Sequence, residues 1–208
     1  MSAKALHKSH THPNDCIHTP KPIADLMIKM CDIKPSDTVL DPCRGGGVFF
    51  DNIDSINKEY CEIQDGKDFF ENTKHYTTII GNPPYSKWTE WIEHTLNKCQ
   101  KFCYIFGAQS LTPNRIKMIH DAGYGLTKLH TVKIAWFMSQ SYICLFEKGK
   151  PSIISITPGT FNCEYCNTNC HRGIYGNDPN ICNIDNKKMK AEEKKRLKAE
   201  KKSNDSLQ

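Results

Sequence analysis

The chain has 208 residues, 28 Lys and Arg against 23 Asp and Glu, and a formal net charge of +5 at pH 7. That length suits one domain with a small appendage, and an apolar fraction of 38% is enough for a buried core. No apolar stretch approaches the ~20 residues that cross a bilayer, and the His- and Lys-rich start lacks the apolar centre of a signal peptide; the expectation is a cytoplasmic protein with no membrane role. In that compartment the eleven cysteines are expected to be thiols or metal ligands rather than disulfides.

Residues 1–17, with His7, His10 and His12, read as a flexible terminus. His18-Thr19-Pro20-Lys21-Pro22 then opens an amphipathic helix, since Thr and Pro favour a helix start. Thr38-Val39-Leu40-Asp41 is a short buried strand that runs into Pro42-Cys43-Arg44-Gly45-Gly46-Gly47, ahead of apolar Val48-Phe49-Phe50. Glycines at that point permit a tight turn and close backbone approach to a ligand, as a nucleotide-like cofactor requires at the first strand-to-helix crossover. Further on, Glu62 at the end of a second strand suits hydrogen bonds from ribose hydroxyls, with Asp65 as the alternative. Asp68 follows so closely that the usual second crossover helix is expected to be reduced or missing.

Tyr76 to Gly81 form an apolar strand that Asn82-Pro83-Pro84-Tyr85 must terminate. Two prolines remove two backbone donors and fix two φ angles, leaving a rigid turn that holds an amide and an aromatic ring at the carboxyl edge of the sheet. Trp88, Trp91, Ile92, Thr95, Leu96 and Cys99 recur at helical spacing, so an amphipathic helix is expected over 86–100. Its two tryptophans serve either the core or a substrate platform. Phe102 to Gly107 read as the next buried strand, Thr112-Pro113-Asn114 opens a helix reaching Asp121 and ended by Gly123, and 128–135 and 141–147 read as a closing pair of strands.

Composition changes after Pro151. Cys163, Cys166, Cys170 and Cys182 lie in an Asn- and Gly-rich stretch with few core aliphatics, where thiolates bent around one zinc ion would staple a segment that lacks a core; His171 is the competing ligand. Lys187 to Lys202 hold nine Lys or Arg against three Glu, so the basicity of the chain belongs to its tail. Such a tail is expected to be solvated, and it binds nucleic acid through counterion release without reading sequence. The expected divisions are 1–17, a catalytic domain over 18–150, a cysteine-rich module over 151–186, and the tail over 187–208.

Asp41 to Phe49 spell Asp-Pro-x-x-Gly-x-Gly-x-Phe, and together with Asn82-Pro83-Pro84-Tyr85 they resemble the cofactor and catalytic loops of amino-group DNA methyltransferases dependent on S-adenosylmethionine, chiefly those acting on the N6 of adenine. The resemblance implies an α/β, Rossmann-like class I methyltransferase fold: a mostly parallel sheet of the seven-stranded type with helices on both faces, here carrying the cysteine-rich module. It implies cofactor contacts at Thr19, Pro20, Asp41, Pro42, Gly45, Gly47, Phe49, Glu62 and Asp68, with Asp41 on the methionine end, Glu62 on the ribose and Asp68 on the adenine amino group. Asn82, Pro83, Pro84 and Tyr85 take the catalytic positions, and Cys43 has no covalent part. DNA is the favoured partner, with RNA open and a second protein as a source of target recognition. A glutamine side chain is a further acceptor, although glutamine methyltransferases similar to this chain carry a helical domain before the cofactor loop. The reading of another class is a non-catalytic, zinc-bearing nucleic-acid binder on the same scaffold.

Overall fold

A computed structural model describes residues 17–134 and 140–157. The chain divides after Pro158, and all described residues belong to the first unit, Met1–Pro158. The cysteine-rich segment with Cys163, Cys166, Cys170, His171 and Cys182, the basic tail and the first sixteen residues lie outside the described part.

The elements in chain order are α1 (Lys21–Cys31), β1 (Thr38–Asp41), β2 (Asn57–Tyr60), β3 (Tyr76–Gly81), α2 (Trp88–Leu96), β4 (Cys99–Gly107), α3 (Pro113–Asp121), β5 (Tyr124–Val132) and β6 (Ser141–Lys148). They build one sheet in the order β2-β1-β3-β4-β6-β5, in which the first four strands run parallel and β6 is antiparallel to both neighbours. Six strands are found among the described residues where the resemblance implies seven. Between β2 and β3 the chain makes only two 3-10 turns, Ile63–Asp65 and Phe69–Glu71, so no crossover helix forms there and β2 is left as the edge.

Period-two alternation sends successive side chains of each strand to opposite faces. Leu40, Ile79, Phe102, Tyr104, Phe106, Cys144 and Phe146 pack with Trp88, Trp91 and Ile92 of α2 and Ile119 of α3. On the other face Val39, Ile80, Cys103, Ile105, Ile143 and Leu145 pack with Ala24, Met27 and Cys31 of α1. Trp88 and Trp91 are thus core residues, buried at 2% and 6% exposure.

Some element boundaries differ from the sequence expectation, for local reasons. The helix expected over 86–100 is shorter, because Tyr85–Lys87 form a 3-10 turn and the Lys98 amide bonds back to Thr95. Cys99, which continues the helical spacing, instead opens β4 opposite Tyr76. Its thiol reaches the Thr95 carbonyl at 3.6 Å, so the i,i+4 neighbourhood survives without the helix. β5 begins at Tyr124, four residues before its expected start, because Gly123 turns the chain at φ 85° directly after α3.

Candidate active site

β1 lies between β2 and β3, so chain order reverses direction at β1, and the crevice outside the carboxyl ends of β1 and β3 is the switch point where open α/β sheets take ligands. The glycine loop follows β1 and the Asn-Pro-Pro-Tyr turn follows β3. Both candidate motifs therefore meet at one place.

Asp41, the last residue of β1, is fully buried. Its two carboxylate oxygens accept from the amides of Cys43 (3.3 Å) and Phe50 (3.2 Å), which ties the start of the glycine loop to its end. Burial pushes this carboxyl up to about 7, against the opposing pull of those two backbone donors and of Arg44. Gly45 and Gly47 have φ of 50° and 85°, the left-handed region that favours glycine. The Gly45 amide donates to the Glu62 carboxylate at 2.8 Å, and Glu62 also caps the Ile63–Asp65 turn by accepting from Gln64.

Gly46 needs no unusual φ. A Cβ there would lie 3.2 Å from Nδ1 of His18, because the segment ahead of α1 passes over the loop. A similar close approach joins the two strands: a Cβ on Gly81, which is buried at the end of β3, would lie 3.0 Å from Pro42 and 3.4 Å from the Asp41 carboxylate. That proximity puts Asn82 beside the glycine loop, and the same Cβ would lie 3.5 Å from the Cys43 sulfur. Burial first, then the Asp41 charge, pushes the Cys43 thiol well above its ordinary range, so it remains an un-ionised thiol and a poor nucleophile.

In the turn itself Pro83 is buried, while Asn82, Pro84 and Tyr85 are half-buried. The Tyr85 hydroxyl donates to Asn82 Oδ1 at 2.9 Å. Its ring leans on Trp88 with centroids 6.0 Å apart, and Trp88 stacks on Phe106 at 4.3 Å and 13°.

His18, Thr19, Cys43, Gly45, Phe49 and Asn82 are among the residues lining a cavity of about 200 Å³ at this point. Of the sequence candidates, Thr19, Gly45, Phe49 and Asn82 thus share one wall system. Asp41 stands behind it and Glu62 bonds to Gly45 from beside it. Pro20 caps α1, its carbonyl accepting from Ile23 and Ala24, and Asp68 caps the Phe69–Glu71 turn by accepting from Phe70 at 2.9 Å; neither lines the cavity. His18 was missing from the sequence candidates for this wall. Its signal is the middle glycine, Gly46, which has no conformational need of its own and is explained by a ring lying over it. A wider depression of about 490 Å³ beside α2, with Phe70, Glu90 and His94, shares no residue with this cavity. Among the described residues no cluster of His, Cys, Asp or Glu has the makings of a metal site, and no helix is long and apolar enough to cross a membrane.

No protein-family model and no curated protein matches the chain. Solved structures do resemble it. One is magnesium protoporphyrin IX methyltransferase from Synechocystis PCC 6803 with bound S-adenosylmethionine, at TM-score 0.52 and 13% identity over 62% of this chain and 79% of that one. Another is Trm5 from Methanocaldococcus jannaschii in complex with adenosine, at 0.52 and 14% over 64% and 51%. A third is the M protein of the type I restriction enzyme EcoKI, at 0.51 and 13% over 64% and 44%. The fold is that of the Rossmann-like methyltransferases. The glycine loop and the Asn-Pro-Pro-Tyr turn stand at the carboxyl edge of that fold.

Proposed function

We propose that the chain transfers a methyl group from S-adenosylmethionine to the exocyclic N6 of adenine in DNA. The observation that carries this reading is the placement of Asn82, whose Oδ1 is an acceptor for an amino group, on the wall of the glycine-loop cavity, with the Tyr85 hydroxyl bonded to that oxygen.

The residues present fit the methyl donor. The glycine loop forms a cradle that side chains would fill, buried Asp41 ties its two ends together, and Glu62 offers a carboxylate beside it to a cationic ligand. When bound, that donor supplies an electrophilic methyl on a sulfonium, and the electrons of the breaking C–S bond return to sulfur. The adenine nitrogen is a weak nucleophile because its lone pair is delocalised into the ring. Acceptance of its protons by Asn82 Oδ1 and the Pro83 carbonyl favours a pyramidal nitrogen whose lone pair is free to form the new C–N bond. The extra proton then leaves to water. Tyr85 offers a face on which an extruded base stacks, worth about 1–3 kcal/mol for such a contact. The rest of the rate comes from alignment. The basic stretch Lys187 to Lys202 supplies sequence-independent attraction to phosphates, and the cysteine-rich segment holds one structural zinc.

Incubation with methyl-labelled S-adenosylmethionine and, in parallel, duplex DNA, single-stranded DNA, RNA and protein extract tests this reading. Label is expected at N6 of adenine in DNA, with Asn82→Ala lowering turnover about 10²–10³-fold while affinity for S-adenosylhomocysteine stays within about threefold. Label entering RNA or protein alone moves the acceptor, and near-normal turnover by Asn82→Ala removes the catalytic assignment.

A further inference from the structure

Stacking needs only the ring of Tyr85, yet its hydroxyl is bonded at 2.9 Å to the atom that the proposed chemistry uses, Asn82 Oδ1. This contact is not an accident of a floppy loop. Pro83 and Pro84 fix two φ angles between the partners, Pro84 standing at φ −61° and ψ 129°. Tyr85 opens the 3-10 turn that leads into α2, and its ring rests against fully packed Trp88. On the other partner, Asn82 directly follows Gly81, whose close approach to Pro42, Asp41 and Cys43 leaves little room even for a Cβ. The backbone and the ring are thus held, and the terminal torsion of Asn82, which is broad and roughly two-fold, remains to be set.

That rotation decides the chemistry. One orientation offers the amide oxygen to the substrate, and the other offers the NH₂, which would set donor against donor at an adenine amino group. A phenol donates one hydrogen, and an amide oxygen accepts two through its two lone pairs. We propose that the Tyr85 hydroxyl is a positioning group for Asn82: it turns the amide so that Oδ1 is the atom presented, and it leaves the second lone pair of Oδ1 for the amino group. The inference rests on the methyl-transfer reading above and adds to it a task for the hydroxyl that the ring does not perform.

A double-mutant cycle tests it on one DNA substrate, with wild type, Tyr85→Phe, Asn82→Asp and the double variant. Phenylalanine keeps the stack, so KM for DNA is expected to change less than about twofold while kcat falls at least about fivefold from loss of alignment. Aspartate presents equivalent oxygens in both orientations, leaving nothing to select. In the Asn82→Asp background the Tyr85→Phe change is therefore expected to alter kcat less than about twofold. Wild-type kcat in Tyr85→Phe, or an undiminished loss in the aspartate background, overturns the proposal. Nitrogen relaxation of the Asn82 side-chain amide in the substrate-free full chain separates this question from the identity of the acceptor. Its order parameter is expected to fall in Tyr85→Phe, and an unchanged value overturns the positioning role even if the wild type methylates no DNA at all.

Discussion

At the scale of single residues, Asp41 has the most consequential chemistry outside the reacting atoms. Its carboxyl is held at about 7 by burial, while in the unfolded chain it returns to the ordinary 3.8. Between these values the folded state binds a proton that the unfolded state lacks, so stability falls as pH rises through the window. The cost is fully present above about pH 7 and absent below about 4, on the order of 4 kcal/mol from the size of the shift. Wild type is accordingly expected to gain stability relative to Asp41→Asn on going from pH 8 to pH 5, read from urea midpoints. The absolute offset between the two proteins carries no weight, since an amide NH₂ must face one of the two loop amides; the pH trend is the measurement. A parallel trend in both proteins would mean that Asp41 titrates normally. The resemblance implies a place for Asp41 at the methionine end of the cofactor, but its tie to both ends of the glycine loop and its protonation behaviour arise from complete burial, which no local pattern encodes.

At the scale of elements, the close approach of β1 and β3 decides where Asn82 stands. Alanine at Gly81 would press its Cβ on Pro42 and on the Asp41 carboxylate, forcing the two strand ends apart. Overpacking of this kind costs about 1–3 kcal/mol, and the displaced Asn82 is expected to lower turnover as well. Gly107, at the matching end of β4, makes a useful control, because a Cβ there would meet only Ser110 Oγ at 3.8 Å. Alanine at Gly107 is expected to leave the melting temperature nearly unchanged. If Gly81→Ala melts no lower than Gly107→Ala, the close approach does not position the turn. The elements themselves were largely legible: α1, β1, β3 and α3 lie where the local pattern puts them. The end of α2 was not, because Thr95 and Cys99 keep helical spacing while β3 recruits Cys99 as a strand partner. Pairing with a distant strand is invisible to periodicity.

At the scale of the whole molecule, charge is unevenly distributed along the chain. The stretch Lys187 to Lys202 holds a basic excess of six in a chain of net +5, so the rest is slightly acidic and owes no general attraction to phosphates. The four cysteines of the 151–186 segment set a further expectation: protein purified without added zinc carries about one equivalent by elemental analysis, and less than about a tenth rejects the site. The sequence by itself determined the α/β class, the two loops to which the proposed chemistry is assigned and the candidate residues Asp41, Gly45, Glu62, Asn82 and Tyr85. These were readable because glycine and proline impose their conformations locally. Only the tertiary structure decided that β1 sits between β2 and β3, that His18 covers Gly46, and that the Tyr85 hydroxyl meets Asn82 Oδ1. Each of these depends on strand order and on packing between segments distant in sequence or held apart by a rigid turn, and a linear pattern records neither.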